Sequence, residues 1–355
     1  MTTNKNFSKI ILLALILILS IKCNDRMNQK NSDIFHHKLD SLEGFEVKAR
    51  SSEITEIDGQ SVLKLDGMIV LSEHNISDAC IKVEVLAQES CYSGIAFRIA
   101  DDNNYELAYA VPHVSGQIDA IQYDPVFNGS NTWQMYNGEP YQKKAEVPTG
   151  KWFSLRIEIY GDRAAVWVDN QPPLIVEDLA HSQISGSIGL WSYKPVCFRN
   201  LKVAAHKEIN DLKGKSAEAP VGAILEWKLQ DGRILKCEPN GILNLNRYMP
   251  PSNNAMKVSR DFHLSASAKV EIGIGFSDTL KLFIDGDEIF QGENLFEGFK
   301  NIPSRGWVSP DYKNIELQLN AGNHRIEAEL QVKEPFGWGL LLTLISQNLT
   351  MQSLE

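Results

Sequence analysis

The sequence lacks most of the short motifs that announce catalytic chemistry. It has no C-x-x-C pair, no G-x-S-x-G elbow, no H-E-x-x-H and no phosphate-binding loop. Dithiol redox, serine-nucleophile, zinc-protease and nucleotide-hydrolysing readings therefore have no starting point. It also lacks a basic cluster. The 35 Lys and Arg against 45 Asp and Glu give a net charge of −10. Such a surface repels phosphate backbones, so nucleic acid is not an expected partner. No helix-period segment comes near the length of the strand-period ones. With 43% hydrophobic and 23% charged residues over 355 positions, the composition is that of a globular protein of two or three domains.

What is present begins at the N-terminus. Lys5 and Lys9 precede an apolar run from Ile10 to Ile21. Its 12 residues are too few to cross a bilayer comfortably, but they suit the core of a secretory signal. Cys23 follows at once. This arrangement resembles a bacterial lipoprotein signal, in which the cysteine becomes the lipidated first residue; Lys22 departs from the small residue usual before it. Residues 1–23 are read as that signal, with an uncleaved anchor or an ordinary signal peptide as alternatives. The expectation is an exported protein of the bacterial cell envelope, held to the membrane by lipid on Cys23. Export permits disulfides, and the sequence does not choose among the three complete pairings of Cys80, Cys91, Cys197 and Cys237. A simple hairpin does not place Cys80 opposite Cys91, and the four are expected to be mostly free, buried thiols. Residues 24–40 are polar and read as a tether, in which His36 and His37 point opposite ways on an extended chain.

From about residue 41 to 205 strand follows strand. Ile81, Val83 and Val85 alternate with Lys82 and Glu84. Ile95, Phe97 and Ile99 are expected on one side, with Ala96 and Arg98 on the other. Phe153, Leu155, Ile157 and Ile159 share a third such face. Period two of this kind marks strands with one buried face. Residues 206–219 are polar, end in small residues and proline, and read as a linker. Alternation resumes in 220–347, as in Val270, Ile272, Ile274 and Phe276, and 348–355 form a tail. The fold class is all-β: two β-sandwich (jelly-roll) domains in tandem after the signal segment.

"GIAFRIADDNNYELAYA", "GDRAAVWVDNQPPLIVEDL" and "GSIGLWSYKPVCFRNLKV" carry a resemblance. They resemble the concanavalin A-like, laminin-G-like jelly roll, and more closely the exported bacterial domains of the family-16-like, 3-keto-disaccharide hydrolase type. The resemblance implies a carbohydrate-related role and leaves activity open, because that fold hosts lectins, adhesion modules and glycosidases alike. Catalytic members of the glucanase branch carry E-x-D-x-x-E on one strand. "EIDGQS", Glu56 to Ser61, is the nearest approach and lacks the final acid, so that mechanism does not carry over. The second domain resembles, more vaguely, the small β-sandwich modules found beside glycosidase-like domains.

Tyr105 to Asn137 is the densest mixture of aromatic and polar residues. Flat rings stack on sugar C–H faces while amides and carboxylates take hydroxyls in pairs. The candidate ligand-binding residues are Tyr105, Tyr109, Gln122, Tyr123, Asp124, Asn131, Trp133 and Gln134. A hydrolase would need a proton-transfer pair, for which Asp119 or Asp124 with His113, or Glu106 with Asp124, are the candidates. Some laminin-G-like domains hold calcium, and Asp101 and Asp102 could serve as ligands, although Asp-Asp-Asn-Asn is also turn material. No cofactor is otherwise implied. The expected function is recognition of a carbohydrate or glycan by a membrane-tethered protein. A glycoside hydrolase acting on a disaccharide or a 3-keto sugar is one alternative, and a protein-binding envelope lipoprotein is another. In the second domain, Trp338 between glycines is expected in the core, and the loop 298–312, with Arg305 and Trp307, is where binding would first be sought. The acidic stretch from Asp278 to Asn294 is expected to be a hairpin turning at Asp285-Gly286.

Overall fold

The computed structural model describes residues 33–88, 90–206, 212–296 and 306–354. The signal segment, Cys23, Arg305 and most of the tether lie outside the described residues. Among the described residues no helix is long and apolar enough to cross a membrane.

The first unit comprises β1 (Asp33–His37), β2 (Phe45–Ile57), β3 (Gln60–Leu71), β4 (Ala79–Leu86), β5 (Tyr92–Asp101), β6 (Asn104–Ala110), β7 (Ile121–Tyr123), β8 (Gln142–Lys143), β9 (Trp152–Tyr160), β10 (Arg163–Val168), β11 (Leu174–Val176) and β12 (Ser187–Ala205). One layer runs β2-β3-β12-β5-β6-β7-β8 and the other β11-β10-β9-β4-β12-β1. β12, 19 residues long, belongs to both. Its first part pairs with β5 and β3, and its last part, from Cys197, pairs with β4. Register breaks after Ser192 and after Arg199 let it bend from one layer into the other. Ile81, Val83 and Val85 of β4 meet Ile95, Phe97 and Tyr123 of the facing layer in one core.

The expected alternation holds along β4 and β9 and fails once in β5. Arg98 has φ 49°, and the ladder with β6 skips between Phe97 and Asp101. This bulge moves Ile99 into the cluster on the far side of the layer, with Met68, Leu107 and Tyr109. Arg98 is itself buried and donates to the carbonyl of Gly161. The expectation that it shares the face of Ala96 is thereby corrected.

The second unit comprises β13 (Glu226–Leu229), β14 (Ile234–Lys236), β15 (Leu243–Asn244), β16 (Met256–Leu264), β17 (Ala268–Phe276), β18 (Asp278–Ile284), β19 (Asp287–Asn294), β20 (Lys313–Leu319), β21 (Gly322–Gln331), β22 (Gly339–Ile345) and β23 (Leu349–Met351). The layers run β14-β13-β16-β21-β18-β19, with β23 on β16, and β15-β22-β17-β20. Trp227, Phe262, Phe276 and Trp338 fill the space between them.

The segment boundaries shift inward. Residues 33–37, assigned to the tether, form β1 against β12, and His37 Nδ1 accepts the Leu39 N–H at 2.9 Å. In the tail, β23 pairs with Phe262–Leu264. The end of the linker lies along the first unit, where Leu212 O accepts from Arg163 at 2.5 Å. Cys80, Cys91, Cys197 and Cys237 are free; Cys91 is buried and the other three are partly so.

Asp285 and Gly286 both have positive φ, 53° and 91°. That is the geometry of the tight hairpin turn that matches strand twist. The Asp285 carboxylate accepts the Arg325 N–H at 2.9 Å, while Asp287 and Glu288 are exposed. "EIDGQS" contains another such turn, with Asp58 at 52° and Gly59 at 72°.

The two units are packed together rather than strung on a tether. Ile242, Val308 and Leu341 of the second belong to the core of the first. The segment 132–137 is gripped through its backbone. Gln134 N donates to Phe336 O at 3.3 Å, Val308 N to Gln134 O at 2.9 Å, and Asn240 Nδ2 to Met135 O at 3.0 Å. Arg247, paired with Glu238 at 2.7 Å, lies over the Phe127 ring at 4.4 Å.

Candidate functional site

Strand alternation decides which candidates can share a surface. On β6 and β7, Glu106, Ala108, Ile121 and Tyr123 face the core. Tyr105, Leu107, Tyr109, Gln122 and Asp124 face the other side of the layer. β5 contributes Tyr92 to that outer side and β12 contributes Trp191. Tyr92 meets Tyr109 at 5.7 Å between ring centroids, and Tyr109 meets Trp191 at 5.5 Å. Tyr193, 48% exposed, extends the aromatic row beyond Tyr92 at 5.7 Å.

The row ends in a recess of about 80 Å³ lined by Tyr92, Tyr109, Asp119, Gln122, Trp133, Phe296 and Phe336. Phe296 and Phe336 come from the second unit. Trp133 meets them at 5.4 Å and 5.7 Å, the first edge-on. The floor is polar. The Tyr109 hydroxyl has Gln122 Oε1 at 3.3 Å and Asp124 Oδ2 at 3.2 Å as acceptors. Gln122 Nε2 donates to the Asp119 carbonyl at 2.9 Å. Enclosed small-molecule sites usually measure roughly 300–1,000 Å³. This recess can hold one edge of a ligand whose remainder lies along the open aromatic row.

Asp124 holds the loop that carries Trp133. Its Oδ1 accepts the Thr132 N–H at 2.8 Å, and its Oδ2 accepts from Asn131 Nδ2 at 2.8 Å. The residue is fully buried, and desolvation lifts its carboxyl to about 6 despite these donors. Tyr109, Asn131 and Thr132 all donate to it, and it is 0% exposed, so its oxygens face these donors behind the floor rather than a substrate proton.

The structure thus unites Tyr109, Gln122, Asp119 and Trp133, with Asp124 and Asn131 directly behind them. It separates others. Tyr123 is wholly buried in the core, where its hydroxyl donates to Glu106 at 2.6 Å and accepts from Ala180 N at 2.7 Å. It is corrected from a stacking platform to a core residue. Glu106 also accepts the His181 N–H at 2.9 Å, and burial raises it to about 7. Glu106 and Asp124 lie on opposite faces of one layer, so their proposed acid–base pairing is corrected as well. Tyr105 is on the correct face, but its backbone bridges to Val126 and the residue is buried. Gln134 is 0% exposed between the two units and is corrected from sugar contact to interface residue. His113 sits beside the recess, Nε2 3.4 Å from the Tyr92 hydroxyl.

Asp101 Oδ1 accepts from Asn103 N at 2.7 Å and Asn104 Nδ2 at 3.0 Å, and Asp102 pairs with Lys48. This is the chemistry of a turn and does not fit a calcium site. Among the described residues no group of three or more His, Cys, Asp or Glu could hold a metal ion. Trp338 is buried in the second core, as expected.

Sequence reasoning missed Tyr92, Trp191, Phe296 and Phe336. Tyr92 was legible, because period two through Ala96 places it opposite Ile95 and Phe97. Nothing in the sequence ties Phe296 and Phe336 to a site in the other domain.

Residues 27–204 match the model of the 3-keto-alpha-glucoside-1,2-lyase-like domain. No curated protein matches the sequence. Among solved structures, the carbohydrate-binding module CBM66 of Bacillus subtilis is 19% identical, covering 46% of this chain and 96% of its own, with a TM-score of 0.35. A glycosyl hydrolase homologue from Parabacteroides distasonis is 16% identical, covering 48% and 100%, with a TM-score of 0.32. A β-glucanase of Bacillus licheniformis is 9% identical, covering 50% and 100%, with a TM-score of 0.34. At these values the likenesses do not bear on activity.

Proposed function

The chain belongs to the 3-keto-alpha-glucoside-1,2-lyase-like domain family, and from that premise we propose that it recognises a carbohydrate at the recess between Tyr109 and Trp133. One observation carries this reading. Aromatic walls from Tyr92, Trp133, Phe296 and Phe336 close on a polar floor of Tyr109, Gln122 and Asp119. Rings offer surface to sugar C–H faces, and the floor offers paired donors and acceptors to hydroxyls. Lipid on Cys23 would hold this surface at the cell envelope after export.

The test is calorimetric titration of the full chain with a panel of disaccharides, with Trp133→Ala and Tyr109→Phe in parallel. Trp133→Ala should weaken binding by tenfold or more in a folded protein. Tyr109→Phe should weaken it several-fold, the loss of one neutral hydrogen bond. Unchanged affinity in both variants would refute the site.

The family itself favours a second reading, bond cleavage in a 3-keto-glucoside. Elimination beside a ketone requires a base within reach of the adjacent C–H. Asp119 lines the recess and His113 stands beside it, whereas Asp124 is fully buried behind the floor. Sustained release of monosaccharide from a 3-keto-disaccharide, abolished by Asp119→Asn, would establish cleavage over binding alone.

A further inference from the structure

Arg260 lies where a sandwich has least use for a charge. β16 turns Val258, Arg260, Phe262 and Leu264 toward the same side, and all four are buried. Arg260 is 8% exposed. Its Nη2 donates to Gln352 O at 2.7 Å, whereas Nε and Nη1 have no hydrogen-bond partner. Glu226 Oε2 stands 3.9 Å from Nη1, within ion-pair range but beyond a hydrogen bond. A guanidinium has five N–H donors, and leaving several of them buried without acceptors is costly.

Beside it opens a recess of about 490 Å³, lined also by Ala223, Leu225, Glu226, Lys236, Cys237 and Met351. That volume falls within the range of small-molecule sites. We propose that this recess binds a small organic carboxylate of sugar size, at a site separate from the one around Trp133. A planar carboxylate matches the guanidinium fork. Lys236 adds a second cation at the rim. Leu225 and Met351 supply apolar wall for the ligand's body. Glu226 selects against a phosphate dianion, which would face its carboxylate with about twice the repulsion of a monoanion. Cys237 contributes only surface, since burial pushes its thiol up to about 12 and keeps it neutral.

The experiment titrates the full chain with D-glucuronate, D-glucose and inorganic phosphate. Glucuronate should bind saturably, at least tenfold more tightly than either of the others. Arg260→Met should abolish that binding while leaving the fold intact. Glu226→Gln removes the competing carboxylate and should tighten binding several-fold, a result that stands even if Arg260→Met does not fold. Trp133→Ala should leave glucuronate affinity unchanged, which separates the two sites. The proposal is overturned if glucuronate does not saturate, if glucose or phosphate binds equally well, if folded Arg260→Met binds as before, if Glu226→Gln leaves affinity unchanged or weakens it, or if Trp133→Ala removes glucuronate binding.

Discussion

Replacing Glu106 by Gln should change how stability depends on pH. Glu106 is wholly buried, accepts from Tyr123 Oη and His181 N, and titrates near 7 rather than 4.5 because burial penalises its charged form. A carboxyl whose pKa is higher in the folded state keeps its proton longer there than in the unfolded chain. Below about pH 4.5 both states are protonated and the residue contributes no pH dependence. Between 4.5 and about 7 the unfolded chain ionises first, so stability falls as pH rises. Above that window the penalty is constant. At about 1.4 kcal/mol per pH unit, the displacement amounts to about 3 kcal/mol. Gln keeps the shape and does not titrate. Urea unfolding of both proteins, followed by tryptophan fluorescence at pH 4.5, 6 and 8, isolates the effect as a difference. The stability of Glu106→Gln relative to wild type should rise by about 3 kcal/mol from the lowest to the highest pH. A difference constant within about 0.5 kcal/mol, the scale on which independent effects fail to add, would refute the buried, proton-holding Glu106.

Gly286→Ala places a Cβ at φ 91° and should cost about 1 kcal/mol in chemical denaturation, leaving ligand affinity untouched. Trp338→Ala empties a fully buried position and should cost about 3–5 kcal/mol, read as a lowered unfolding midpoint. Glu238→Ala strips the carboxylate from Arg247 and should destabilise by about 3–5 kcal/mol, whereas replacing both partners together with apolar residues should cost much less. An inhibitor of lipoprotein signal peptidase should leave a larger precursor on an immunoblot; an unchanged size would refute lipid attachment at Cys23.

The fold was legible wherever side-chain alternation is a direct record of burial. β4 and β9 read off without error, and Asp285-Gly286 announced its turn, because only certain residues tolerate two successive positive φ values. The bulge at Arg98 was not legible. It depends on a contact with Gly161 in the other layer, far along the chain. The site was half legible. Period two already separates Tyr123 from Gln122 and Asp124, so taking all three as ligand contacts ignored the strand's own geometry. Gln134 and Phe336 are different in kind. Their environment is made by the other domain, and one chain segment cannot state which distant loop will cover it.

The grip on residues 132–137 changes what the first sandwich is. A module joined by a tether can be cut out and moved to another protein with its binding surface intact. Here the wall of the recess opposite Tyr109 is borrowed, because Phe296 and Phe336 arrive from beyond residue 220. A version ending near residue 205 would bare the apolar surface that Val308 and Leu341 cover, and would leave Trp133 on a loop missing half its anchors. Such a fragment would be poorly soluble, and whatever affinity it kept would belong to an open aromatic face. The pair is therefore the unit to engineer, and a swap of the second sandwich would rebuild one wall of the recess without altering a single residue of the matched family domain.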